Sequence, residues 1–424
     1  MSTVPLRHVA DVWVSNVDKL TTEGETPVQL CNYVDVYKND TVRPSASLMR
    51  ATARPDEINR FRLEVGDTLL TKDSEDPTDI GVSAYVAETS DDLVCGYHLA
   101  IARPRGGTHP RYLTWAARSR PVLDHFTNNS NGISRYGLST SGLMAAPIPF
   151  PSFEEQRRIA DFLDGRVARI DRIIAARQRQ IGCLRQVQAK WSFDAIRGGG
   201  LSERKDSGAP WLGTIPKDWP MLSVVSQFQV DLGKMLDEKS QTGTYAVPYL
   251  RNTNVQWDVI DTSDLKSMDI SPEEMSRFTV QRGDLLICEG GQPGRAAMWD
   301  GLESPLGYQK ALHRARSRGR SLPEWLLECL RAGVDQEAIV SSSGQTTIAH
   351  LPNDQLRATK FPFPDPAVQR DQLARLKSLR TKSSEAISAI ERQCLAMKEY
   401  KQSLITAAVT GEFDVTTAST KIPE

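Results

Sequence analysis

The sequence predicts an α/β (α+β) chain made by internal duplication: two globular domains separated by two long helices that form an antiparallel coiled coil, with the halves related as a pseudo-two-fold repeat. Three observations carry this. "GYHLAIARPR" (Gly96 to Arg105) returns as "GYQKALHRAR" (Gly307 to Arg316), at an offset of 211 that lays Tyr97 on Tyr308, Ala100 on Ala311, Arg103 on Arg314 and Arg105 on Arg316. "VGDTLL" (Val65 to Leu70) faces "RGDLLI" (Arg282 to Ile287) at 217, and "PFP" at Pro149 faces "PFP" at Pro362 at 213, which also carries Gln156 onto Gln369 and Leu163 onto Leu376. After each proline run, apolar residues recur at spacings of three, four or seven, as in a helix that packs along one seam. An offset that drifts before the proline runs and holds after them means two variable domains, each followed by an element of fixed length.

Taken in order, residues 1–150 form the first domain, where strand-like runs ("DTLLT", "AYVAE") alternate with polar turns. The first long helix, 151–199, follows the breaker "PIPFPS"; Glu154 and Glu155 suit its N-terminus and "RGGG" stops it. Its seam is Leu163, Val167, Ile170, Ile174, Ile181, Leu184 and Trp191. Arg177 and Gln188 interrupt that seam, and Gly165 and Gly182 each weaken the helix by up to ~1 kcal/mol relative to alanine. "KDSGAPWLGTIPKDWP" (Lys205 to Pro220) is a Gly/Pro-punctuated linker into the second domain, 200–361, with strand-like "DLLICE" and "AAMWD" and helix-like "LPEWLLECLRAG". The second long helix, 362–412, carries Leu376, Ile387, Ile390, Cys394, Met397 and Leu404 at the matching places and stops at Gly411; residues 413–424 are a tail. A helix of about 45 residues is roughly 65–70 Å long. Neither can hide its stripe alone, so the two are expected to pack on each other, antiparallel for halves related by a two-fold axis.

Charge narrows the function. The formal net charge is -1 and the pI about 6.6, yet basic residues cluster. Between Ile101 and Pro121 stand Arg103, Arg105, Arg111, Arg118 and Arg120, and between Leu306 and Pro323 stand Lys310, Arg314, Arg316, Arg318 and Arg320, with no acid in either window. Local basicity on a neutral chain points to a negative partner held at particular places. A solvated surface has no need to reappear in register, and clustered arginine suits nucleic acid through phosphate neutralisation and bidentate contacts to guanine. Two basic modules on a rigid spacer would read two half-sites a set distance apart. Six scattered cysteines with no C-x-x-C pair, and histidines without ligand spacing, suggest neither disulfide framework nor zinc site. The N-terminus "MSTVPLRHVADVWVS" has no signal-peptide core and no window reaches a membrane span, so the expectation is a cytoplasmic protein with no membrane partner.

Two further stretches carry binding chemistry. "CEGGQPGRAAMW" (Cys288 to Trp299) sets glycines around Gln292 and Arg295; it lacks the G-K-[ST] of a Walker loop and reads either as a plain turn or as a loop that brings both side chains to bases or phosphates. "NNSNGISRYG" (Asn128 to Gly137) and "SSSGQTT" (Ser341 to Thr347) precede the two helices and hold amides and hydroxyls suited to phosphate or base contacts. Enzyme motifs are missing: there is no N-P-P-Y tetrapeptide, G-x-S-x-G or H-E-x-x-H, and Glu203-Arg204-Lys205 has no Pro-Asp ahead of it to complete a nuclease motif.

These residues resemble the specificity subunit of Type I restriction-modification systems. "PIPFPSFEEQRRIADFLDGRVARID" is like that family's proline-rich start of its first conserved helix, "KDSGAPWLGTIPKDWP" like its lead into the second half, "RGDLLICEGGQPGRAAMW" like its second recognition domain and "LITAAVTGEFDV" like its C-terminal ending. The second proline run departs from the first, with Ala367 and Val368 where the first half has Glu154 and Glu155. The resemblance implies two target-recognition domains, each binding one part of a split, asymmetric double-stranded DNA site, with conserved helices setting the spacing. Two methyltransferase subunits and restriction subunits would dock on it, and they, not this chain, would carry catalysis; the chain itself would need no cofactor. Charge and repeat register, rather than the resemblance, select the candidate DNA contacts: Lys72, Arg103, Arg105, Arg111, Gln292, Arg295, Lys310, Arg314 and Arg316. The rival class is a coiled-coil interaction adaptor that does not bind DNA.

Overall fold

Hydrogen-bond registers, rather than matching letters, show how the chain repeats. The computed structural model describes residues 2–200, 203–236, 242–301, 305–339 and 350–417. The chain divides into two units, one running to Gln178 and resuming at Glu391, the other Arg179–Ile390.

In the first unit the strands used below are β1 (Thr3–Pro5), β2 (Ala10–Val14), β3 (Thr26–Cys31), β4 (Thr41–Val42), β5 (Met49–Ala53), β6 (Thr68–Thr71), β7 (Asp73–Ser74), β8 (Ser83–Val86), β9 (Leu93–Cys95) and β10 (Leu99–Pro104). The main sheet has the order β2-β10-β6-β8-β4, and a second sheet the order β5-β3-β9. Strand β10 explains why both are needed. Alternate residues of a strand face opposite ways, and Ala100 and Ala102 pack with Leu6, Trp115 and Phe126 while Leu99 and Ile101 pack with Val28, Leu30 and Leu69. A strand apolar on both faces must be covered on both. Helix α1 (Pro110–Ala117), started by Pro110 behind the His109 cap, belongs to the first of these cores, and the second sheet supplies the other. Short strands β11 (Ser130–Asn131) and β12 (Tyr136–Leu138) join β7, and β13 (Pro147–Pro149) pairs with β1 just ahead of helix α2 (Phe153–Ile196).

The second unit repeats the plan. Strand β14 (Met221–Ser223) is followed by β15 (Phe228–Leu232), β16 (Ala246–Leu250), β17 (Lys266–Asp269), β18 (Leu285–Cys288), β19 (Ala296–Met298), β20 (Gly307–Tyr308) and β21 (Leu312–Ser317), then helix α3 (Pro323–Asp335), β22 (Lys360–Pro362) and helix α4 (Pro366–Thr410). Its main sheet is β15-β21-β18-β19, its second sheet β17-β16-β20, and β14 pairs with β22 as β1 does with β13.

These registers correct the offset read from "GYHLAIARPR". In the first unit Ala102 opposes Thr68, and in the second Ala315 opposes Leu285, the residue 217 beyond Thr68. The central strands therefore repeat at 213, the offset of the helices: Leu99 matches Leu312, Arg103 matches Arg316, and Arg314 matches Ile101, so the letter match at 211 is displaced by two residues. Side-chain anchors repeat at 213 as well. The fully buried Gln156 accepts from the His109 backbone N–H and donates to the Pro151 carbonyl, as Gln369 accepts from Leu322 and donates to Pro364. The Tyr112 hydroxyl donates to the Pro149 carbonyl, and the Trp325 indole to that of Pro362.

Each unit contains part of both long helices, side by side and antiparallel. In the first, Lys401 pairs with Asp171 at 2.8 Å while Phe413 meets Phe162 further toward the start of α2. In the second, the Arg380 guanidinium donates to Ser192 and to both Glu328 carboxylate oxygens, and Ile196 lies in one apolar cluster with Val368 and Leu373. Of the seam residues expected from spacing, Leu163, Val167, Ile170, Ile174, Ile181, Leu376, Ile387 and Ile390 are buried, and Leu184, Trp191, Met397 and Leu404 partly so. Near the end of α4 the buried residues are Ile405, Ala408 and Val409, one step past the residue that the heptad spacing selects. Among the described residues no helix is long and apolar enough to cross a membrane, and no group of His, Cys, Asp and Glu could hold a metal ion.

Candidate nucleic-acid interface

The candidate contacts separate onto opposite ends of the sheets. In the first unit β6 leaves the sheet at Thr71 and β10 enters it at Leu99, so Lys72 and His98 stand at one end; Asp67 and Arg103 stand at the other, roughly 13 Å along the strands at 3.3 Å per residue. Lys72 and His98 both engage the same Asp73 carboxylate oxygen at 2.7 Å. Burial pushes the Asp73 carboxyl up, but these hydrogen bonds outweigh it and hold it below the ordinary carboxylate range. The Arg135 guanidinium lies 3.1 Å from the His98 ring. Asp73, His98 and Arg135, with the stacked Tyr33 and Tyr37 and the carboxylates of Glu75 and Asp79, line a cavity of ≈ 540 Å³. Tyr37 donates to Asp79, which pushes its hydroxyl up to about 12.

The matching end of the second unit is built from the turn 289–295 between β18 and β19. Gly291 and Gly294 there have φ of 74° and 87°, and a Cβ on Gly294 would lie 2.9 Å from the Val334 side chain, so this turn requires glycine. The Arg295 guanidinium donates to Gln292 Oε1 at 3.2 Å and to the Asn252 carbonyl at 3.0 Å, and Asn252 donates to the Gly290 carbonyl. Burial pushes the neighbouring Cys288 thiol up, and Arg295 draws it part of the way back. Gln292 is exposed, and so is Lys310, whose backbone N–H donates to the carbonyl of Lys234; the Lys234 side chain pairs with Glu274.

The duplicated arginines are placed otherwise. Arg314 is fully buried, paired with Asp231 at 2.6 Å and donating to the Thr279 carbonyl; it has no surface to offer DNA. Arg103 grips Asp67 and Glu64 and lies over the Trp13 ring, and Arg316 grips Asp284 through two hydrogen bonds. Arg105 is exposed but bound to Asp11 and the Arg7 carbonyl. Arg111 is held against Asp164 of α2 between the rings of Tyr85 and Trp115. The arginine windows thus chiefly neutralise acids of their own unit. Sequence reasoning treated them as acid-free, because Asp67 and Asp284 lie far away in the chain.

"NNSNGISRYG" runs from the end of the helix Arg120–Asn129 through β11 into β12, with Ile133 96% exposed in the turn between the two strands. "SSSGQTT" lies outside the described residues. Sequence reasoning missed His98, Arg135 and Asn252. Only their position beside the strand ends could have singled them out.

No family model matches the chain. Over 367 residues it is 22% identical to the Type I restriction enzyme EcoKI specificity subunit of Escherichia coli (strain K12), covering 82% of this chain and 74% of that protein. Its fold is similar to that of a chain of the type I R-M system solved in work on complex assembly and conformational transition (TM-score 0.71, 16% identical, 97% of this chain and 98% of the other). It is also similar to the HsdS subunit from Thermoanaerobacter tengcongensis (TM-score 0.55, 17% identical, 97% of each chain). In sequence and in fold the chain is therefore similar to Type I restriction-modification specificity subunits.

Proposed function

We propose that this chain is a non-catalytic DNA-specificity subunit that reads a bipartite, asymmetric duplex, one half-site per domain, and acts in the cytoplasm as the scaffold for two adenine-methyltransferase subunits and for restriction subunits. The observation that carries this is the repeated frame with unlike ends. The four main-sheet strands common to the two units share their order, and the anchors repeat, yet the turn after β6 and the turn after β18 differ in length and charge, as two readers of different sequences require. Lys72, Gln292, Arg295 and Lys310 stand at these ends and are the retained DNA contacts. Arg105 is exposed at the opposite end and could reach DNA only by leaving Asp11.

The test is to express the chain with a Type I methyltransferase subunit from the same genome and to map methylated adenines across the host genome by single-molecule sequencing. A split motif with a fixed gap is the expected result; a complex that forms but modifies nothing would sink the reading. One observation favours the adaptor instead, namely that most of the duplicated arginines are engaged within their own unit. Affinity for duplex DNA against salt separates the two: contacts to phosphate give a steep negative slope of log affinity against log salt, reduced by about 0.9 in Lys310→Ala, and an adaptor gives none.

A further inference from the structure

Resting on that reading, we propose that the turn 289–295 reads guanine, through a glutamine whose acceptor is engaged within the protein. A glutamine side chain that meets a base freely offers both a carbonyl oxygen and an NH2 group, the combination that matches N6 and N7 of adenine. Arg295 restricts this freedom in Gln292. One lone pair of its Oε1 accepts from Arg295 Nη1, which sets the plane of the amide, and Arg295 is itself held by the Asn252 carbonyl. The turn that carries both residues is held by two glycines at positive φ, one of them packed against Val334. With Oε1 turned to Arg295, the planar amide turns its two Nε2 hydrogens the other way, and an exposed cation, Lys310, stands at the entry to β21, where the backbone N–H of Glu289, at the start of the turn, donates to the Ala311 carbonyl. Two donors and a lysine match an edge made only of acceptors. In the major groove guanine has that edge, with O6 and N7 side by side, whereas adenine places a donor at N6.

The first unit lacks this device. Its corresponding turn, 72–82, places Glu75, an acceptor without donors, where the second places Gln292 counting from the shared strand ends. The second unit's half-site is therefore the one expected to carry the guanine.

The experiment is a selection of bound duplexes from a randomised pool by the full chain in complex with its methyltransferase partner, followed by sequencing, for the native protein, Gln292→Ala and Arg295→Met. The native complex should enrich guanine at one position of one half-site. Gln292→Ala should lower that preference about tenfold, and Arg295→Met, which frees Oε1, should move it toward adenine. The melting temperature of each variant reports whether it has folded, and the exposed Gln292 variant serves if Arg295→Met has not. Unchanged enrichment in a folded Gln292→Ala complex that still binds would overturn the proposal while leaving the functional reading intact. Failure of the native complex to retain any duplex would sink that reading, and this inference with it.

Discussion

The two units repeat a set of anchoring hydrogen bonds, mostly with the same residue types, and differ most where their strands end. Gln156 and Gln369 tie the start of a long helix to the preceding helix, Tyr112 and Trp325 hold the proline runs, Arg103 and Arg316 grip Asp67 and Asp284, and Arg118 and Arg331 meet Asp40 and Asp258. At the turns after β6 and β18 the likeness stops. The first has Asp73, Glu75, Asp76 and Asp79 around His98 and Arg135; the second has glycines, Gln292 and Arg295. What is duplicated is therefore what a strand apolar on both faces needs in order to be covered and what buried polar groups need in order to be paired. What diverges carries no such constraint and is free to serve recognition.

The largest effect expected from breaking this frame is at the acids. Asp67 and Asp284 are 1% and 2% exposed at the side chain, and each also accepts a backbone N–H, from Glu64 and Gln281. Asp67→Ala or Asp284→Ala removes the buried carboxylate from an arginine that is about a quarter exposed, Arg103 keeping only the half-exposed Glu64 as an acid partner, so each should cost about 3 kcal/mol, the lower end for breaking a buried pair. Urea unfolding followed by tryptophan fluorescence reads this. Losses that differ severalfold between the two variants would mean that the frames are not energetically alike. Next come Gln156→Leu and Gln369→Leu, each of which strands a backbone N–H and a carbonyl in the interior; about 2 kcal/mol apiece is expected. A neutral result at either would show that its anchor is dispensable.

A difference between the units should appear in acid. His313 of β21 is fully buried, donates to the Leu351 carbonyl, and matches Ala100 in the first unit. Burial pushes its imidazole below the ordinary 6.5, and the bond to Leu351 only partly offsets this. A depressed folded pKa means that the unfolded chain takes the proton more readily. The stability held by neutral His313 is thus full above pH 6.5 and is lost as pH falls below it. Urea midpoints at pH 7.5 and pH 5 should therefore fall further for the native chain than for His313→Gln. Equal falls would remove His313 as the cause.

How much of this was legible in the sequence follows from the range of each signal. The duplication, the two long helices and most of the seam were readable because periodicity and proline punctuation are local. "VGDTLL" and "GYHLAIARPR" were singled out correctly as repeated, but their relation was not visible: Asp67 of the first is the ion-pair partner of Arg103 in the second. An arginine opposite an acid across a ladder looks, along the chain, like an unopposed cation. The displaced offset has a related origin, since glycine-tyrosine and alternate arginines match at 211 while the ladder hydrogen bonds fix 213. For the candidate site, the short turn at 289–295 was singled out from glycine spacing, whereas His98 and Arg135 join Lys72 only through the antiparallel pairing of β7, β10 and β12 with their neighbours.

The smallest effect bears on the helices that both units share. Gly165 and Gly182 lie inside α2 with nothing within 4 Å of where a Cβ would stand, so alanine meets no obstruction in the isolated chain at either site. Each substitution should stabilise by about 0.5–1 kcal/mol, mostly by restricting the unfolded chain, and the two should add because they are far apart. Glycine persists on an open helix face at a cost to stability, and close approach by another backbone is one physical reason for keeping it. Measured on the isolated chain, both alanines should raise the urea midpoint. Measured as affinity for the methyltransferase partner, a loss at Gly165 or Gly182 would place that subunit on that helix face, and unchanged affinity at both would send the search for the docking surface to the rest of the two long helices.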